Sequence, residues 1–274
     1  MTARALRGRT GSAAIWVLRR SWLFVLFLVA WEINFRLRES IFVPPMTEIV
    51  GGMLSKWFSA NPLTLFTSEF FREHAVVSLV RLAWGWGIAI VAGVGAGLLL
   101  GSFRSLEALS RWVLRFGLST PSTVLLPLAL VLFGITNPMY VFLVAVGTVW
   151  PILLNTMDGV RGIDAETKMA ARSLRLGGWR LFRRVTLPAA SPQIFAGLRV
   201  SMGIALILVV VSEIFVGTRG IGFDIILSQR TFRFDEMWSS VALIAVIALV
   251  LNGLFHRVEA RVLHWHQSHR EAET

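Results

Sequence analysis

Apolar residues in this chain gather in long runs. They show neither the alternation of a half-buried strand nor the narrow stripe of a soluble helix. SWLFVLFLVAWEINF at 21–35, GWGIAIVAGVGAGLLLG at 85–101, VLLPLALVLFGI at 124–135, MYVFLVAVGTVWPILLN at 139–155, GLRVSMGIALILVVVSEIFVG at 197–217 and VALIAVIALVLNGLF at 241–255 carry hardly any charge. A helix needs about 20 such residues to cross the hydrocarbon core of a bilayer. Backbone groups in lipid have no water to bond, so spanning segments close their hydrogen bonds internally as helices. The runs therefore predict an all-α, polytopic membrane protein of about six spans, near 15–35, 75–101, 120–134, 139–157, 194–216 and 237–255. Three regions follow: 1–73, an N-terminal arm with the first span and an outer amphipathic segment; 74–256, the core of spans two to six; and 257–274, a basic tail.

Interruptions in the runs carry further information. Trp22 and Trp31 sit near the ends of the first span as interfacial anchors would, and Glu32 lies at its outer end. Two prolines in VPPMTEIV (43–50) forbid a regular helix before about Thr47; beyond it, Ile49, Val50, Met53, Leu54 and Trp57 follow helical spacing, as in a short surface helix. Gly93, Gly97 and Gly101 recur every four residues and let another backbone come close, either within the chain or between subunits. Pro121 and Pro127 shorten or kink span three, and Pro151 interrupts span four. FDIILS, in the loop 217–237, is too short to cross and suits a re-entrant or interfacial segment. Polar residues inside the spans are few. Thr148, Asn155, Ser201, Ser212 and Glu213 are the candidates to line a translocation path, although such residues also serve as helix-packing groups.

Net charge is +11, a value that raises nucleic acid as a partner. The distribution argues otherwise. Lys and Arg concentrate on alternate loops: Arg4 to Arg20, Arg104 to Arg115, Arg161 to Arg184 and Arg257 to Arg270. By the positive-inside rule both termini are then cytoplasmic, and the charge is a topology signal with no nucleic-acid partner implied. Zero cysteines exclude disulfides, thiolate metal sites and cysteine nucleophiles. The arginine-rich start leads into an apolar run without a small-residue cleavage site, as in a retained first span. The only lysines, Lys56 and Lys168, follow Ser and Thr, so there is no phosphate-binding G-x-x-x-x-G-K-[ST] loop. There is likewise no H-E-x-x-H and no G-x-S-x-G, the marks of two common hydrolase types. The tail HWHQSH (264–269) has histidine spacings that converge poorly on one helical face, and no metal site is expected.

Between spans four and five lies a more ordered segment than a solvated linker needs. Asp164 can cap a helix, Glu166 sits in its first turn, and Gly177-Gly178 can end it. Lys168, Arg172 and Arg175 share a face. A second short helix, with Trp179, Phe182 and Val185 opposite Arg180, Arg183 and Arg184, is expected to stop before span five because of Pro188 and Pro192. Anionic headgroups explain the charges but not the cap, the glycine break and the Leu-Pro stop.

The stretch GVRGIDAETKMAARSLRLGGWRLFRRVTLPAASPQIFAGLR, ending at Arg199, resembles the cytoplasmic EAA loop of ABC importer permeases, in particular the nitrate/taurine/aliphatic-sulfonate branch. The Trp-Glu of span one, the VPP segment, SLVRLAWGW, LFGI, PILLNT and VVVSE also fit that branch, so the resemblance covers nearly the whole chain. It implies the type I ABC importer permease fold in a bacterial cytoplasmic membrane. It also implies two separate ATPase subunits carrying ATP and Mg, a second permease copy as homodimer or paralogue, and an extracytoplasmic substrate-binding protein. The chain itself would bind no cofactor and catalyse nothing. The loop would be a coupling helix seated in a groove of the ATPase, with the motif's alanines on Ala170 and Ala171, its arginine on Arg172, and Leu174 and Gly177 before the closing Leu187 and Pro188. Two positions depart: Met169 replaces the motif's glutamate, and Arg175 stands where its glycine falls, with Gly177 two residues later. The expected cargo is a small anion such as a sulfonate, taurine or nitrate. A stand-alone carrier or channel is the alternative; it calls for ionisable relays deep in the spans or an internal repeat, neither of which is evident.

Overall fold

A computed structural model describes residues 22–38, 40–59 and 67–264, which are almost entirely helical. The start of the expected first span and the HWHQSH tail beyond residue 264 lie outside the described residues. The chain divides into two compact units, one of residues up to Ser68 with Leu227–Leu243, the other of Glu69–Ile226 with Ile244 onward.

In the first unit, α1 (22–38) is followed by α2 (Met46–Trp57), and the two are joined through the VPP segment. Pro45, at the N-cap of α2, offers no side-chain acceptor. Glu32 of α1 supplies one instead: its Oε2 accepts from Thr47 N at 3.1 Å, and its Oε1 accepts from Thr47 Oγ1 and from Arg36 Nε. A carboxylate on a helix N-terminus is favoured by the exposed N–H groups and the dipole there. Trp31 donates from Nε1 to Pro44 O and packs edge-on to Trp238, in the first turns of α11 (Phe234–Val262). The tryptophan read as an interfacial anchor thus also clamps a loop.

The second unit is built around α6 (Asn137–Arg161). α3 (Val76–Ser102), entered through a π turn at Phe71–Ala75, runs parallel to it. The glycine stripe explains the close approach. A Cβ on Gly93 would lie 2.9 Å from Ile152 Cβ, on Gly97 2.6 Å from Leu153 O, and on Gly101 2.8 Å from Val160 Cβ. The stripe therefore meets a helix of the same chain. α9 (Leu187–Val216) packs antiparallel on another side of α6, with Gly159 against Ala190 and Gln193, and Gly197 against Pro151 and Asn155. Ile152, Val160, Ala190, Ile194, Leu198 and Met202 fill the space between them.

The kink expected in span three is present at Pro121: the end of α4 (Arg104–Ser119) and the segment Ser122–Phe133, which contains α5 (Leu126–Phe133), form a bent pair turning through 91° at Thr120-Pro121, where the proline cannot continue the helical ladder. Three expectations need correction. Pro151 does not interrupt span four, since α6 runs unbroken from Asn137 to Arg161. α7 (Ala165–Ser173) ends well before the glycine pair, and Gly178 opens the following helix instead of closing this one. Finally, Pro188 and Pro192 do not interrupt: α8 (Gly178–Leu181), a π turn (Phe182–Thr186) and α9 make one helical rod from Gly178 to Val216. The π turn shifts the hydrogen-bond register so that Pro188 falls in the first turn of α9, where its missing N–H is not needed. By length and composition, Phe71–Ser102, Asn137–Arg161, Gly178–Val216 and Phe234–Val262 can each cross a membrane, and the bent pair can make a fifth span. The apolar stretch FDIILS lies in α10 (Ile221–Arg230), which is too short to cross.

Candidate functional site

Two polar regions stand out in the second unit, at opposite ends of α9. The first is the loop between α6 and α9. The C-terminus of α7 closes with Leu174 N donating to Ala170 O at 3.1 Å and Leu176 N donating to Ala171 O at 3.0 Å. The first is the last ordinary helical bond; the second, spanning the intervening Arg175 at φ 50, is the 6→1 bond of a Schellman cap. Its left-handed position usually belongs to glycine, because a Cβ there costs about 1–2 kcal/mol. Gly177 is extended, at φ −135 and ψ 165, so the left-handed turn that ends α7 is carried by the arginine.

The expected coupling residues divide by exposure. Ala170, Leu174 and Gly177 are exposed, Leu187 and Pro188 are half-buried, and Ala171 is only 3% exposed. Of Arg172 only the backbone, within α7, is described. Met169, Ala170, Leu174 and Trp179 therefore present an uncovered, mostly apolar set, near Arg175, Arg180, Arg183 and Arg184, which are all exposed. Trp179 is stiffened by stacking on Phe182, with centroids 5.1 Å apart. Chemically, an exposed apolar set with a basic rim is complementary to an apolar groove whose rim is acidic.

The second region is not evident as a unit from the sequence. Arg81 of α3, 5% exposed, donates from Nη1 to Glu213 Oε1 at 2.8 Å and to Arg219 O at 2.9 Å, and from Nε to Asn137 Oδ1 at 3.0 Å. Its guanidinium lies 3.7 Å from the centroid of Tyr140, whose hydroxyl donates to Val216 O. Glu213, fully buried, also accepts from Ser78 Oγ and from Gly222 N. Ile221 N in turn donates to Ser78 Oγ at 2.9 Å. The carboxylate thus sits on the N-terminus of α10, and α3, α6 and α9 are tied to the loop 217–222. Gly220 is required there: its φ is +121, and a Cβ would collide with the Glu213 carboxylate. A lone arginine in SLVRLAWGW and a lone acid in VVVSE are the available signal, since a charge at membrane depth needs a partner.

The other path candidates do not converge on one cavity. Thr148 donates to Val144 O and Asn155 to Pro151 O, each folded back on α6. Ser201 accepts from Trp86 Nε1 at 2.8 Å, tying α9 to α3. Ser212 donates to Val209 O and alone among the candidates borders a groove of about 450 Å³, walled by Val124, Leu126, Pro127, Leu143, Leu208 and Phe215 among others. Among the described residues no cluster of His, Asp or Glu is arranged to hold a metal ion.

Comparison with known proteins adds a family. Residues 89–263 match the model of the binding-protein-dependent transport system inner membrane component. A bicarbonate transport system permease protein of Synechococcus elongatus is 33% identical over 70% of this chain and 76% of its own length. A nitrate import permease protein of Leptolyngbya laminosa is 32% identical over 68% and 67% of the two chains. A taurine transport system permease protein of Escherichia coli is 25% identical over 89% and 88%. Among solved structures, an amino acid ABC transporter crystallised with histidines superposes with a TM-score of 0.52 over 78% of this chain and 94% of the other, at 18% identity, a likeness of fold alone.

Proposed function

The chain belongs to the family of binding-protein-dependent transport system inner membrane components, and from that premise we propose that it is the permease subunit of an ATP-driven importer for a small anion. Two ATPase subunits on one side of the membrane, a substrate-binding protein on the other and a second permease copy complete the assembly. The relatives named for bicarbonate and nitrate support an anionic cargo, and the one named for taurine a solute bearing an anionic sulfonate group. ATP and Mg belong to the ATPase, consistent with a chain that lacks a phosphate-binding loop.

The single observation that carries the coupling role is the exposed knob of Met169, Ala170 and Leu174 on a capped helix. Its connection to the spans explains how a push could travel. From Gly178 to Val216 the chain is one rod, interrupted only by the π turn at Phe182–Thr186. A displacement beside Trp179 therefore moves α9 as a body, and the last turn of α9 carries Glu213 and its ties to α3 and α10. In this reading the loop faces the cytoplasm, the Glu213 network faces outward, and six spans cross the bilayer. A proton-relay carrier is less well supported: the ion pair lies near the helix ends, and its polar atoms are held by fixed partners.

The test is gentle detergent extraction of a tagged chain from its native host, with identification of what co-purifies. Because Ala171 is buried, a bulky residue there would damage the loop itself; exposed Ala170 is the informative position. A P-loop ATPase is expected with the wild type and with Ala170→Ser, and its loss with Ala170→Arg. Wild-type chain that comes out alone even after cross-linking would end the importer reading.

A further inference from the structure

We infer that Arg175 is the residue by which this permease selects its own ATPase, its guanidinium meeting an acidic side chain on the rim of that subunit's groove. The inference rests on the coupling role proposed above and adds to it a residue and a charge.

The backbone is the starting point. Arg175 holds φ 50 in a Schellman cap, a place where glycine fits without strain and arginine does not. Nothing among the described residues compensates. The side chain is exposed and makes no hydrogen bond or ion pair among the described residues. A strained residue whose side chain supports nothing internally is expected to serve something external. The location says what: Arg175 directly follows Leu174 and lies one turn or so from Ala170, the exposed apolar residues of the knob. Arg180, Arg183 and Arg184 sit on ordinary helical or π-turn backbone, so attraction to anionic headgroups could be met there without strain. A lipid role gives no reason for an arginine at the strained position of this loop. The neighbouring substitution points the same way. The motif's acid is Met169 here, so the knob has lost a negative charge and gained a positive one. Its matching groove would be acidic, and ATPases that suit an acid-bearing loop would be repelled or left with an unpaired charge.

The permease is produced with the ATPase that co-purifies with it, separated, and its affinity for that subunit measured at low and high salt for wild type, Arg175→Gly, Arg175→Asn, Arg175→Lys and Arg175→Glu. Asn tolerates the left-handed position and guards against an uninformative glycine variant. The Gly and Asn variants alone are expected to melt at or above the wild-type temperature, yet to bind the ATPase at least fivefold more weakly and with less salt dependence. Lys recovers part of the affinity, and Glu weakens binding further. Wild-type affinity in Arg175→Gly at both salt concentrations would overturn the proposal, as would a lower melting temperature, which would make the side chain an internal support. An effect seen only as a change of melting between phosphatidylglycerol and phosphatidylcholine nanodiscs would assign the arginine to lipid and also overturn it. If no P-loop ATPase accompanies the wild type, the importer reading falls and this proposal falls with it.

Discussion

Glu213 shows how one residue can be noticed in a sequence while its partners stay hidden. An acid at the end of VVVSE suggests a path-lining group, yet the structure closes it between Arg81, Ser78 and the amide of Gly222. Removing one partner of a buried pair strands the other charge, at a cost of about 3–5 kcal/mol. Glu213→Gln and Arg81→Leu should therefore each lower the melting temperature of the detergent-purified chain sharply. The double variant should cost clearly less than the two singles together, by about 0.5–3 kcal/mol of coupling; strict additivity would mean that the two side chains do not sense each other. The partner is hidden in the sequence because Arg81 and Glu213 are far apart along the chain, and nothing in either run says which helices meet. Arg175 is the opposite case. Its departure from the motif is legible, but only the backbone angle reveals that the arginine occupies glycine's place and does not displace the turn to Gly177.

At the level of elements, the glycine stripe is readable as a close-contact face because its spacing of four residues repeats on one side of a helix. Its partner is not. α6 answers with Val144, Ile152, Thr156 and Val160 at matching spacing, but larger side chains at that spacing occur on every span and mark none in particular. The structure separates the glycines that matter from those that do not. Gly93→Ala and Gly97→Ala would push a methyl group into Ile152 or into the backbone carbonyl of Leu153, costing about 1–3 kcal/mol. Gly87→Ala and Gly95→Ala meet nothing within 4 Å and should leave stability unchanged or raise it by up to about 1 kcal/mol. Thermal melting of the four variants distinguishes the α3–α6 contact from a general need for flexible glycine: equal losses at all four positions would refute it. The prolines show the same limit of local reading. Neighbouring residues alone forbid Pro188 inside an α-helix, whereas the π turn at Phe182–Thr186 alters the register on which that prohibition acts.

For the molecule as a whole, membrane insertion is the most legible property, because uncharged apolar runs of about twenty residues match the thickness of a bilayer core. Orientation rests on a different kind of signal, the uneven distribution of arginine among loops. The two signals can be tested together, since zero cysteines allow single reporters to be placed without background. Ala170 and Thr218 are both exposed and lie beyond opposite ends of α9, one before it and one after. With Ala170→Cys, a membrane-impermeant maleimide should label the chain in inside-out vesicles and not in intact cells with a permeable outer envelope. With Thr218→Cys, the preference should reverse. Charge asymmetry and the coupling proposal both depend on this outcome, because an ATPase can reach the Met169–Leu174 knob only from the side on which it is made. Labelling of both positions from the same side would be incompatible with α9 as a single span, despite its length. Labelling with the sides exchanged would leave the fold intact and place the knob, with Arg175 beside it, where no cytoplasmic ATPase can bind.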